Sequence, residues 1–124
     1  MIGTIMIVVG AAFVIFWGIS HLFPTKSIVK GFGDISPDNK KIISMEWINE
    51  GATLIFIGTL AIATNLIDPG NRITLIVNII SIIMLLAISV ISLFTGFRIR
   101  YLPFRLCPVI FTTSAILILI GSLF

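Results

Sequence analysis

The chain has 124 residues, of which 58% are hydrophobic and only 10% are charged, and its formal net charge is +3. This balance excludes a soluble globular fold, because the polar residues are too few to cover so much apolar surface. The length has room for about four membrane spans of roughly 20 residues each. Backbone groups in lipid must bond within their own segment, so the predicted fold class is an all-α integral membrane four-helix bundle. We expect a single membrane domain over residues 1–124.

The first predicted span covers residues 2–22 and has no ionisable side chain before His21. Neither a basic start nor a small-residue cleavage site accompanies this span, so we expect it to stay in the mature protein. A polar connection from Phe23 to Lys41 follows. Late in this connection, Ser36 and Pro37 are typical of an N-cap and a first helical residue.

The second span, residues 42–65, is therefore predicted to belong to a helix that begins outside the membrane. Turn residues at 68–71 separate it from the third predicted span, residues 73–97. A short basic connection leads to the fourth span, residues 106–124, with Pro108 in its first turn. The apolar runs are continuous rather than alternating, which favours helices over a membrane β-barrel.

The orientation follows from the basic residues. Seven of the eight lie on one side of the predicted membrane: Lys26, Lys30, Lys40, Lys41, Arg98, Arg100 and Arg105. The positive-inside rule puts this side in the cytoplasm, with both termini outside, in a multi-pass protein of the cell membrane. The net positive charge thus indicates orientation in a lipid bilayer, and no nucleic-acid partner is predicted.

The most informative residues are two carboxylates at the start of the second span. Glu46 and Glu50 are one helical turn apart, and a charge at the bilayer centre costs roughly 2.5–3.5 kcal/mol on insertion scales. Glu46 is expected at the interface, and Glu50 about 6 Å deeper. No basic residue lies three or four positions from either, so compensation must come from another helix or from protonation.

The predicted topology supplies partners on the same membrane face. The candidate ligand-binding residues are His21, Glu46, Glu50, Trp17, Trp47 and Asn49. The candidate charge partners are Arg98, Arg100 and Arg105. Two structural alternatives use the same residues: a charged clamp between helix ends, and an interfacial belt of aromatic side chains.

Several chemistries find no support in the sequence. The single cysteine, Cys107, excludes an intrachain disulfide. No metal site is predicted, because the Glu-x-x-x-Glu pair has no companion Glu-x-x-His. No phosphate-binding loop, haem-ligand pair or catalytic triad is recognisable, so the cofactor stays unknown and enzymatic activity stays open.

The sequence His21-Leu22-Phe23-Pro24 resembles the His-Phe-x-x-Pro element of DoxX-like membrane proteins, a four-helix membrane family. The resemblance extends over the first 60 residues and includes the Glu- and Gly-containing start of the second span. It implies a membrane accessory to redox enzymes or a quinone-linked role, with His21, Glu46 and Glu50 forming a polar pocket.

Three functions compete at this stage. The first is a protein that binds a lipophilic small molecule, or a membrane redox accessory, whose ligand enters between spans one and two. The second is a proton-coupled transporter or channel, which would need a homo-oligomer because four helices are too few for a roomy pathway. The third is a structural subunit of a membrane complex.

Overall fold

Five α-helices make up a computed structural model that describes all 124 residues. They are α1 (Ile2–Leu22), α2 (Thr25–Gly31), α3 (Pro37–Ile67), α4 (Arg72–Thr95) and α5 (Leu102–Leu123). All except α2 are long and apolar enough to cross a membrane. The predicted all-α class with four spans is therefore confirmed, and the chain is a small membrane protein.

The helix ends agree with the prediction in some places and differ in others. Ser36 caps α3 as expected, its hydroxyl accepting a hydrogen bond from the Asn39 backbone N–H at 3.2 Å. α5 begins at Leu102 rather than at residue 106, because Pro103 occupies the first turn, where proline is favoured. Pro108 consequently lies inside α5 and not in its first turn.

The short helix α2 was not predicted within the polar connection. It follows α1 after two residues, and the Thr25 hydroxyl lies within hydrogen-bond distance of two carbonyls at the end of α1, at 2.9 and 3.3 Å. Val29 is buried and packs α2 against the end of the bundle. We call this end of the bundle the α2 end.

Helix α1 occupies a central place in the packing, between α3 on one side and α5 on the other, and α4 packs on α5. Small residues allow these close approaches. A Cβ atom added at Gly18 would lie 2.7 Å from the Gly51 carbonyl oxygen on α3. A Cβ atom added at Gly3 would lie 2.5 Å from the Gly121 carbonyl oxygen on α5. The α1–α3 seam is therefore closed.

Helices α3 and α4 are, by contrast, sparsely packed neighbours, even though a short turn joins them. They are tied at the joined end by the side chains of Asn65 and Asn78, both of which are only 2% exposed. The two amides exchange hydrogen bonds of 2.7 and 3.2 Å, and Asn78 also donates to the Ser122 hydroxyl at 3.0 Å. At the α2 end no such tie exists, and a gap remains between the two helices.

Candidate functional site

The site is built around His21, whose side chain is only 5% exposed in the last turn of α1. Its ring nitrogen Nδ1 lies 2.8 Å from the Trp17 carbonyl oxygen. A carbonyl can only accept, so Nδ1 carries a proton and donates. In the neutral ring, Nε2 is then an unprotonated acceptor.

Helix α3 holds the ring from the other side. Trp47 stacks on His21 with ring centroids 4.7 Å apart, and its indole Nε1–H donates to the His21 backbone carbonyl. Trp17 meets the same ring edge-on at 5.7 Å. The imidazole is thus fixed in both position and orientation.

Glu50 faces the free nitrogen of this ring. Its Oε1 atom lies 3.6 Å from His21 Nε2, and its side chain is 42% exposed. An ionised carboxylate and a neutral imidazole Nε2 are both acceptors, so nothing bonds them to each other directly. A proton on either group, or a hydrogen-bond donor placed between them, removes the repulsion between the two acceptors.

A cavity of about 370 Å³ opens beside the pair, in the gap between α3 and α4. His21, Trp47 and Glu50 form one wall. The opposite wall comes from α4 and the chain that follows it, including Ile88, Ile91, Ser92, Thr95 and Ile99, and α5 contributes Phe104 and Cys107. The lining is mostly apolar, and its acid and base lie together at one wall.

A second, smaller cavity of about 110 Å³ lies on the other side of His21, towards α2. Trp17 borders it and donates its indole N–H to the Cys107 sulfur at 3.3 Å. The Cys107 thiol lies 3.5 Å from the Pro103 carbonyl, to which it donates. His21, Trp47, Phe104 and Cys107 border both cavities and form the partition between them.

Four of the six candidate ligand-binding residues come together here: Trp17, His21, Trp47 and Glu50. Glu46 and Asn49 do not join them. Both are exposed on α3 and border neither cavity: Asn49 lies on the face of the helix opposite Trp47, and Glu46 lies one turn nearer the start of α3 than Glu50.

The three arginines proposed as charge partners do not pair with Glu50. The one contact between an acidic and a basic side chain within ion-pair distance joins His21 and Glu50. Arg105 donates its Nε–H to the Ile99 carbonyl at 3.0 Å instead. Arg98 and Arg100 lie in the exposed turn after α4 and make no contact of this kind. The conformation of the loop between α4 and α5 determines where these arginines lie, and the spacing of residues in the sequence does not specify that conformation.

The expected ligand entry between spans one and two is also corrected. Gly18 and Gly51 bring α1 and α3 so close that even a methyl group would collide with the facing backbone. The opening lies between α3 and α4 instead.

Sequence reasoning missed Phe104, Cys107 and Ser92 as parts of the cavity lining. Pro103 was the available signal for the first two. Proline is favoured in a first helical turn, so it could have moved the start of α5 back to Leu102 and placed both residues on this helix. For Ser92 no comparable signal exists.

No protein-family model, curated protein or solved structure matches this chain. No group of three or more histidine, cysteine, aspartate and glutamate side chains is placed to hold a metal ion. The geometry of the pair and its cavity therefore carries the functional argument.

Proposed function

We propose that the protein binds a lipophilic small molecule whose polar end carries a hydrogen-bond donor and lies between His21 and Glu50. The observation that carries this proposal is the pair of acceptors, Nε2 and Oε1, 3.6 Å apart at the wall of a cavity. A protonated amine can donate to both acceptors, and a hydroxyl can donate to one of them. A carboxylate or another acceptor-only group does not.

The position of the cavity supports a ligand that arrives from the lipid. The gap between α3 and α4 opens sideways along the bundle, and exposed isoleucines such as Ile91 flank it. Its volume of about 370 Å³ falls within the roughly 300–1,000 Å³ typical of small-molecule sites. Apolar walls with one charged pair match the usual design of such sites, in which a few polar groups orient the ligand.

A redox-accessory role, which the DoxX-like resemblance implies, is compatible with the same site. An oxidised quinone offers only carbonyl acceptors, whereas its reduced form offers hydroxyl donors. While Glu50 is ionised and His21 is neutral, we expect the site to favour the reduced form.

Replacing Glu50 with glutamine is expected to weaken binding of a long-chain primary amine about tenfold, because one charge-assisted hydrogen bond is lost. Binding is measured by tryptophan fluorescence in nanodiscs of zwitterionic lipid, since Trp47 stacks on His21 beside the site. The fatty acid of the same chain length is the ligand control. Glu46→Gln is the matched variant, since Glu46 is exposed and lies one turn away.

Two results would contradict the proposal. One is equal affinity of the wild-type protein for the amine and the fatty acid. The other is an equal loss of amine binding in Glu50→Gln and Glu46→Gln, which would indicate a general surface-charge effect and not a specific site.

Replacing Ser92 with phenylalanine is expected to abolish ligand binding while leaving the protein folded. Ser92 is half-buried at the α4 wall, so a phenyl ring there fills much of the cavity. Leu93→Phe is the control, because Leu93 is the next residue, is 45% exposed and does not border the cavity. Unchanged amine affinity in a folded Ser92→Phe protein would rule out the α3–α4 cavity as the site.

A further inference from the structure

Three lysines converge on a separate cavity at the α2 end. Lys26 and Lys30 lie one turn apart on α2, and Lys40 lies in the first turns of α3. Together with Ser44 and Asp34 they border a concave space of about 520 Å³. Asp34 is the one acidic residue in this lining, so the cavity is net positive.

The chain path explains why these residues converge. Gly33 has a φ of 75°, a left-handed conformation that suits glycine, and it turns the chain so that α3 returns beside α2. Its backbone N–H donates to the Lys30 carbonyl at 3.1 Å. Val29, buried between the lysines of α2, fixes this helix against the bundle. The lysine positions are thus set by packed backbone.

Asp34 offsets only part of the positive charge in the lining. No lysine nitrogen lies within ion-pair distance of a carboxylate, because the His21–Glu50 contact is the only one of its kind. Like charges one helical turn apart, as at Lys26 and Lys30, repel each other. An anion in the cavity would remove this repulsion and provide each ammonium group with an acceptor.

We propose that this cavity binds the phosphate group of an anionic membrane lipid. The phosphate has several acceptor oxygens for the three ammonium groups. Thr25 begins α2 only three residues after the end of α1, which places the lysines at the depth of lipid headgroups. Phe23 and Phe32 flank α2 and are 85% and 55% exposed, so apolar side chains are available to contact the adjoining acyl chains. Basic pockets of this kind at membrane faces bind anionic headgroups.

This proposal does not depend on the His21–Glu50 site. The lysine cavity shares no residue with the cavity between α3 and α4, so either proposal can fail while the other holds.

The test measures thermal stability and lipid retention by native mass spectrometry in zwitterionic lipid, with and without phosphatidylglycerol. We expect phosphatidylglycerol to raise the melting temperature of the wild-type protein and to be retained on it. The variant carries Lys26→Gln, Lys30→Gln and Lys40→Gln and should bind this lipid about a hundredfold more weakly. The control carries Lys41→Gln, Arg98→Gln and Arg100→Gln, which removes the same charge from the same end outside the cavity.

Three outcomes would contradict the proposal. An equal loss in variant and control would mean diffuse attraction to a charged surface and would overturn the proposal. Stabilisation by inorganic phosphate alone, as strong as that by the lipid, would assign the cavity to a free anion. If the triple variant does not fold, Lys30→Gln is compared with Lys41→Gln by the same two measurements, and an equal effect of the two would also overturn the proposal.

Discussion

Gly51→Leu is expected to have the largest effect on stability of any substitution considered for this protein, with little folded protein recovered. A Cβ at this position would lie 2.8 Å from the Gly18 carbonyl oxygen, 2.9 Å from a Leu22 methyl and 3.1 Å from the His21 Cβ. The nearest of these atoms is backbone and cannot rotate away. Overpacking of a close contact costs about 1–3 kcal/mol for small additions, and a leucine side chain adds far more than one methyl group.

Gly31→Leu is the matched control for this experiment. Gly31 lies at the end of α2, and a Cβ added there would meet no atom within 4 Å. We expect its melting temperature to stay close to that of the wild-type protein, whereas Gly51→Ala should lose about 1–3 kcal/mol. The stability of Gly31→Leu and of Gly51→Ala is measured by reversible unfolding in a mixed-micelle titration. If Gly51→Leu were as stable as Gly31→Leu, the closed α1–α3 seam would be disproved.

The same glycine contact also connects packing to the site. Gly51 lies one residue after Glu50, and Gly18 lies three residues before His21. Close approach of the two glycines therefore brings the imidazole beside the carboxylate. Glycine is needed at both positions for the close packing of α1 and α3, and therefore for the 3.6 Å separation of His21 Nε2 and Glu50 Oε1.

The sequence was sufficient to predict the four spans and the central pair. Long apolar runs are unambiguous because lipid excludes other backbone structures. Glu50 stood out because a carboxylate in such a run is costly, and the alternation of spans brought His21 to the same end. These are consequences of hydropathy and connectivity, which a single sequence contains.

The side-by-side arrangement of the helices could not be predicted in the same way. Nothing in the apolar runs specifies that α1 lies between α3 and α5, since nearly every face is hydrophobic. The close contact between α1 and α3 depends on which small residues face which helix, and the cavity opens between α3 and α4 instead. Helix α2 has only 7 residues, too few for a clear periodic pattern.

Two asparagines at the end of the bundle where α3 joins α4 have a structural role that the sequence did not indicate. Asn65 ends the predicted second span and Asn78 lies within the predicted third span, and the two form a buried reciprocal amide pair between α3 and α4. Because α3 and α4 pack sparsely elsewhere, this pair is the side-chain-to-side-chain connection between the two helices that flank the cavity beside Glu50.

Replacing Asn78 with alanine is expected to destabilise the protein by about 1–2 kcal/mol, because the Asn65 amide is left buried without its side-chain partner. The double variant Asn65→Leu and Asn78→Leu removes both polar groups and should lose much less. Asn49→Ala is the surface control, since Asn49 is exposed, and it should be nearly neutral. A double-mutant cycle of unfolding free energies, completed by the single variants Asn65→Leu and Asn78→Leu, isolates the term that belongs to the pair.

The two variants also test whether amine binding depends on the amide pair. If the amide pair holds α3 against α4 at one end, its loss lets the helices move apart along the seam that borders Glu50. We then expect Asn78→Ala to weaken long-chain amine binding together with stability, while the leucine pair retains both because apolar packing replaces the hydrogen bonds. Additive energies of the two single variants, with no coupling between Asn65 and Asn78, would show that the pair does not join these helices.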